Sequence, residues 1–110
     1  MNDDLIHDVT AHTFEDAVLR AEVPVLVDFT TAWCGPCKAL TPILRRLAAE
    51  GGAALKVCAV DGDAEPALVA RFGVRGYPTV IAFAGGREVG RNLGLATKER
   101  LARLVPAASP

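Results

Sequence analysis

An apolar run that ends directly in a pair of cysteines, with an amphipathic pattern behind it, restricts the fold of this chain more than any other stretch. Residues 24–30, PVLVDFT, are almost continuously apolar. That suits a strand covered on both faces. Residues 31–40, TAWCGPCKAL, follow at once. Leu40, Ile43, Leu44 and Leu47 then recur at i, i+3, i+4 and i+7, the apolar stripe of a helix packed against a core. Cys34 and Cys37 therefore stand where a strand hands over to a helix.

Two cysteines at this spacing can be a disulfide staple, half of a metal site or a reactive dithiol. The third cysteine, Cys58, makes the count odd. The start, MNDDLIHDV, is acidic and has no apolar run, so it does not read as a cleavable signal. A cytoplasmic protein is expected, and in a reducing compartment a close cysteine pair is more often catalytic or metal-binding than a staple. The 110 residues, 51% of them hydrophobic, suffice for one domain over 1–110 with a single core. A net charge of −1 and no basic patch argue against nucleic acid as a partner. No apolar stretch approaches the roughly 18 residues of a membrane helix.

Along the chain the elements alternate. Residues 5–9 read as a short strand. AHTFEDAVLRA (11–21) reads as a helix, with Thr13 as N-cap, Asp16 in a near capping box, and Phe14, Ala17, Val18 and Ala21 on its apolar face. The helix behind the cysteines contains Pro42, expected to kink it, and ends at Gly51-Gly52. Residues 54–60 read as a strand. DAEPALVARFG reads as a short helix, with Pro66 in its first turn and Gly73 past its end. Residues 79–93 read as a hairpin turning at Gly85-Gly86. A last helix starts with Thr97 as N-cap and buries Leu101, Leu104 and Val105. The end, PAASP, is expected to fray. The order β-α-β-α-β-α-β-β-α predicts an α/β fold: a mixed sheet with helices on both faces.

Backbone N–H groups at a helix N-terminus stabilise a thiolate, which makes Cys34 the better nucleophile. Cys37, one turn on, is within disulfide reach of Cys34 and is expected to be the more covered. Pro36 fixes φ and stiffens the loop. Asp28 interrupts the apolar run, and burial should raise its pKa. A carboxyl so perturbed beside a thiol pair can exchange protons near neutral pH. GVRGYPT (73–79) brings a glycine-bearing approach to Pro78, where spacing leaves both trans and cis open. Cys58, in a core strand, reads as an inert buried thiol. Trp33 reads as a cover for the thiol that also contacts partners. His7 and His12 fit no ligand spacing, and Arg75 and Lys38 read as solvated charges.

VDF before the dithiol, WCGPCK, PIL at Pro42–Leu44, the D-x-D of Asp61 and Asp63, GVRGYPT and the glycine hairpin together resemble the thioredoxin family, WCGPC-type and bacterial, over nearly the whole chain. The resemblance implies a mixed five-stranded sheet flanked by four helices. It implies a thiol–disulfide oxidoreductase that reduces protein disulfides and binds no cofactor beyond its redox-active Cys34–Cys37 disulfide. Cys34 would attack, Cys37 would resolve, and Asp28 would assist proton transfer beneath them. Trp33, Gly35, Pro36, Gly76, Tyr77, Gly94 and a cis Pro78 would form the substrate surface. The implied partners are thioredoxin reductase and oxidised protein substrates, with the chain a monomer, no metal, and no nucleic acid or membrane. Gly-Pro between the cysteines favours a reductase over an isomerase.

Three positions depart from the family pattern. Thr30 stands where Trp or Ser is common. Tyr77 replaces the usual Ile before the proline and could shift substrate choice. Many bacterial members pair the buried Asp with a third-strand Lys, and here Ala59 holds that position. Lys56 has the wrong strand parity to replace it, so the pKa of Asp28 is expected to rise further. A metal site and a redox-silent binding scaffold are the alternatives. The first lacks a second ligand pair. The second fits poorly with an intact Cys-Cys-Asp-Pro set.

Overall fold

The apolar run becomes the middle strand of the sheet. In the computed structural model, which describes residues 5–106, β1 is His7–Asp8, β2 Val25–Thr30, β3 Lys56–Asp61, β4 Thr79–Ala84 and β5 Arg87–Leu93. The helices are a π-helical turn at Glu15–Leu19, α1 at Gly35–Gly51, α2 at Pro66–Arg71 and α3 at Lys98–Ala102, with a 3-10 turn at Gly52–Ala54. The strand order is β1-β3-β2-β4-β5. β3 pairs parallel with β1 and β2, and β4 pairs antiparallel with β2 and β5. This is the thioredoxin fold, a mixed five-stranded sheet with four helices.

Strand alternation divides the core in two. Val25, Val27 and Phe29 of β2 join Cys58, Val60, Ile81 and Phe83 under Phe14, Val18 and Leu68. Leu26, Val57, Val80 and Ala82 face Leu40, Leu44 and Leu47 of α1 and Leu101 of α3. Asp28 has the parity of Leu26, so it belongs to the face that α1 covers. On the opposite face Phe14, Phe72 and Phe83 meet ring to ring, with centroids 5.1 to 5.6 Å apart.

Local chemistry explains the ends. Cys34 caps α1 and Thr97 caps α3, its hydroxyl accepting the Arg100 N–H at 3.1 Å. Gly52, at φ 53°, closes α1. Gly85 and Gly86, at φ 59° and 80°, make the two-residue turn between β4 and β5, which needs left-handed backbone at both positions.

The first predicted helix is the main difference. Over 11–21 the chain makes only the π-helical turn, and Thr13 does not cap it. The Thr13 hydroxyl instead accepts the Thr10 N–H at 2.9 Å, tying off the turn upstream, and Asp16 pairs with Arg20. Burying Phe14 and Val18 requires only one turn of helix, so nothing extends it. β1 shrinks to two residues, with Val9 N–H adding one more bond to Ala59 O at 2.9 Å. β3 begins at Lys56 rather than at Ala54, because the 3-10 turn takes up Gly52–Ala54. α3 stops at Ala102, yet Leu104 is still buried by the following turn. Met1–Asp4, read as free of a signal, and the fraying end past Pro106 lie outside the described residues.

Candidate active site

Cys34 and Cys37 are joined by a disulfide with Cα atoms 5.2 Å apart. The Cys37 N–H donates to Cys34 Sγ at 3.1 Å, so this sulfur occupies the place where an N-cap oxygen would sit. The Cys34 N–H in turn donates to Thr31 O, which anchors the motif to the end of β2. Pro36 falls in the first turn, where its missing N–H costs nothing. Both cysteines are buried, at 4% and 2% exposed, with Cys37 slightly the more covered. The bond between the sulfurs turns the Cys34 side chain back onto the helix end. Trp33 is the exposed neighbour, at 69%.

Asp28 lies on the face of β2 that α1 covers. It and Thr41 line one cavity of about 200 Å³, together with Asp8, Arg45 and Ala59. The Thr41 hydroxyl donates to Cys37 O at 3.2 Å, which places the cavity one helical turn below Cys37. Asp28 Oδ1 and Thr31 Oγ1 are buried with no hydrogen-bond partner among the described residues. Burial lifts the Asp28 carboxyl from 3.8 to about 7, because desolvation disfavours the charged form. The missing β3 lysine is borne out by register. Ala59 stands opposite Asp28, and Lys56 turns to the other face, donating to Ala17 O at 2.7 Å.

Pro78 follows a cis peptide bond from Tyr77. It leads into Thr79, which pairs with Phe29 near the end of β2. Gly94 N–H donates to Pro78 O at 2.8 Å, and Gly94 sits at φ 95°, a conformation that suits glycine. Thr79 Oγ1 donates to Gly76 O at 2.6 Å. Trp33 meets Tyr77 edge to face, with centroids 6.0 Å apart. Trp33, Tyr77, Pro78, Gly76 and Gly94 thus gather at one end of the sheet beside the disulfide, with Gly35 and Pro36 exposed on the first turn of α1.

Gly62, Leu93 and Leu95, to which the sequence assigned no role, and Asp63, quoted there only within the D-x-D motif, border this surface. Asp63 accepts the Trp33 Nε1–H at 2.9 Å. Gly62 lies against Tyr77. Leu93 and Leu95, at 66% and 55% exposed, flank Gly94. The signals were present: Asp61-Gly62-Asp63 ends a strand, and two large apolar residues bracket a glycine past a predicted strand. Cys58 is fully buried, and burial pushes its thiol up to about 11. Among the described residues no group of three or more His, Cys, Asp or Glu side chains is placed to hold a metal.

The thioredoxin family model matches residues 5–107. A thioredoxin of Pseudomonas aeruginosa is 39% identical over 102 residues, covering 93% of this chain and 94% of that protein. Thioredoxin 1 of a Nostoc species is 38% identical over 95 residues, 86% and 89% of the two chains. A thioredoxin of Rickettsia bellii is 38% identical over 93 residues, 84% and 89%. With a disulfide capping a helix at the end of the central strand, and relatives aligned along most of their own length, the chain belongs to the thioredoxin family and is a thiol–disulfide oxidoreductase.

Proposed function

We propose that the chain reduces protein disulfides, with Cys34 as the attacking thiol, Cys37 as the resolving thiol and Asp28 as the proton acceptor for Cys37. The observation that carries this reading is the position of Cys34 Sγ at the N-cap of α1, accepting the Cys37 N–H. Positive helix-end dipoles there favour a thiolate. The Cys34 thiolate attacks one sulfur of the substrate disulfide, and the other sulfur leaves as a thiolate that takes up a proton. Cys37 loses its proton and attacks Cys34 Sγ. The second substrate thiol leaves, and Cys34–Cys37 closes. Two electrons pass from the pair to the substrate.

Asp28 serves this sequence because it is half ionised near neutral pH, and the cavity it shares with Thr41 reaches the turn that carries Cys37. Trp33, Gly35, Pro36, Gly76, Tyr77, Pro78 and Gly94 hold the substrate chain. The oxidised pair is re-reduced by thioredoxin reductase. The chain works as one domain over 1–110, as a monomer in the cytoplasm, in electron transport and redox homeostasis. No helix among the described residues is long and apolar enough to cross a membrane.

Two measurements test this. In Cys37→Ser a mixed disulfide with an oxidised protein should accumulate at Cys34, and in Cys34→Ser none should form. Capture at Cys37 instead would reverse the assignment. A redox titration followed by Trp33 fluorescence should give a two-electron midpoint near the about −270 mV of thioredoxins. A midpoint near about −180 mV or above would make the protein an isomerase or oxidant.

A further inference from the structure

A tyrosine before Pro78 needs room for its ring, and the loop after β3 provides it at one position. Gly62 is buried, and its N–H donates to Thr30 O at 2.8 Å, so its backbone is pinned to the end of β2. A Cβ built there would overlap the ring and hydroxyl of Tyr77. Gly62 is not among the glycines with positive φ, so backbone conformation does not demand glycine. A side chain there would instead push the Tyr77 ring out of its place.

The same loop holds the second ring. Asp63 accepts the Trp33 Nε1–H, and Asp61 fixes Asp63 by accepting its N–H at 2.9 Å. Trp33 and Tyr77 then meet edge to face, with an interplanar angle of 87°. The Tyr77 hydroxyl lies against Gly62, in the loop that carries Asp61 and Asp63. Burial first, then the Asp63 and Asp61 carboxylates, raise its pKa. Both aromatic rings are therefore set by residues 61–63, one by a hydrogen bond and the other by the absence of a side chain.

We propose that Gly62 is a specificity-determining positioning residue, which seats the Tyr77 ring so that Tyr77 and Trp33 form a fixed wall beside the dithiol for the chain of a protein disulfide substrate. A wall ordered before binding loses little conformational freedom when a substrate docks, and aromatic rings give large contact area at low entropy cost. A low-molecular-weight disulfide needs only the sulfur and gains nothing from the wall. The inference rests on the reading of the Trp33–Tyr77–Pro78 surface as substrate-facing.

The test is a double-mutant cycle on Gly62→Ala and Tyr77→Ala. Reduction of insulin and of a small aromatic disulfide is followed with dithiothreitol as electron donor. Gly62→Ala should raise KM for insulin about threefold or more, with kcat within about twofold and the small disulfide unaffected. In the Tyr77→Ala background the same substitution should change KM by less than about 1.5-fold. Emission of Trp33, the one tryptophan, should shift in Gly62→Ala and not between Tyr77→Ala and the double variant. An unchanged KM in Gly62→Ala, or an equal rise in both backgrounds, overturns the proposal. Should Gly62→Ala fail to fold, folding of the double variant supports the seat and its failure overturns it. Wild-type protein that reduces neither disulfide would instead overturn the function on which the proposal rests.

Discussion

Asp28 and Ala59 stand opposite each other in register on the parallel β2–β3 pair, and the one cation of β3, Lys56, faces the other side of the sheet. The buried carboxyl therefore has burial acting on it without a cation from that strand. Burial raises its pKa to about 7, and Ala59 brings no charge to oppose that.

Ala59→Lys should reverse the effect. The new ammonium would share a strand face with Asp28 and border the same cavity. An opposite charge at close range favours the carboxylate and should lower its pKa by about one unit or more. Carboxyl carbon chemical shifts followed against pH measure this directly. An unchanged midpoint would show the lysine turning out to solvent.

Asp28→Asn should stabilise the oxidised protein by an amount that grows as pH rises from about 4 to about 7 and is constant above. The folded pKa of about 7 lies above the ordinary 3.8, so the folded state binds more protons than the unfolded state between these values. Stability from this group is unimpaired below about pH 4 and is lost as pH rises through about 7. A shift of this size corresponds to about 4 kcal/mol. Denaturant unfolding should show wild type and variant converging in acid and separating by an amount of that order at pH 8.

The same variant should slow catalysis. General-base assistance is typically worth about 10²-fold or more, so protein disulfide reduction by Asp28→Asn at pH 7 should fall by about a hundredfold. The deficit should narrow as pH rises and Cys37 ionises without help. A loss independent of pH would assign Asp28 a structural role.

Cys58→Ser should lower stability without touching redox chemistry. Cys58 is fully buried between Val27 of β2 and His7 of β1. A hydroxyl left there without a partner costs about 1–3 kcal/mol. The midpoint potential should not move. A shifted potential would give Cys58 a redox role.

Leu93→Ser and Leu95→Ser should raise KM for protein substrates with little change in melting temperature. Both side chains are mostly exposed, so folding loses little by their removal. Exposed apolar groups beside a site mark an interaction surface. Each substitution should cost about 1 kcal/mol in kcat/KM, about fivefold. An unchanged KM for both would place substrate contacts on the Trp33–Tyr77 side alone.

Much of this protein is written locally, and those parts were legible. Leu40, Ile43, Leu44 and Leu47 announce α1 because helical periodicity is a property of the chain alone. Gly85-Gly86 announces the hairpin because few residues adopt two successive left-handed conformations. Thr97 announces α3 because its hydroxyl satisfies a nearby N–H. The Cys34–Cys37 pair and the parity of Lys56 could likewise be read from spacing.

What remained hidden depends on groups distant in the chain. Thr13 has the sequence of a cap, yet Thr10 takes its hydroxyl, because a local propensity worth about 1 kcal/mol yields to the turn that best buries Phe14 and Val18. That Asp28 Oδ1 has no hydrogen-bond partner among the described residues follows from which strands and helix close around it. Gly62 looks like an ordinary loop glycine until the fold brings Tyr77 across it. Composition and periodicity determined the elements and the dithiol. Only tertiary packing decided which side chains share a cavity or a wall, because desolvation and steric fit exist only once the chain has closed around them.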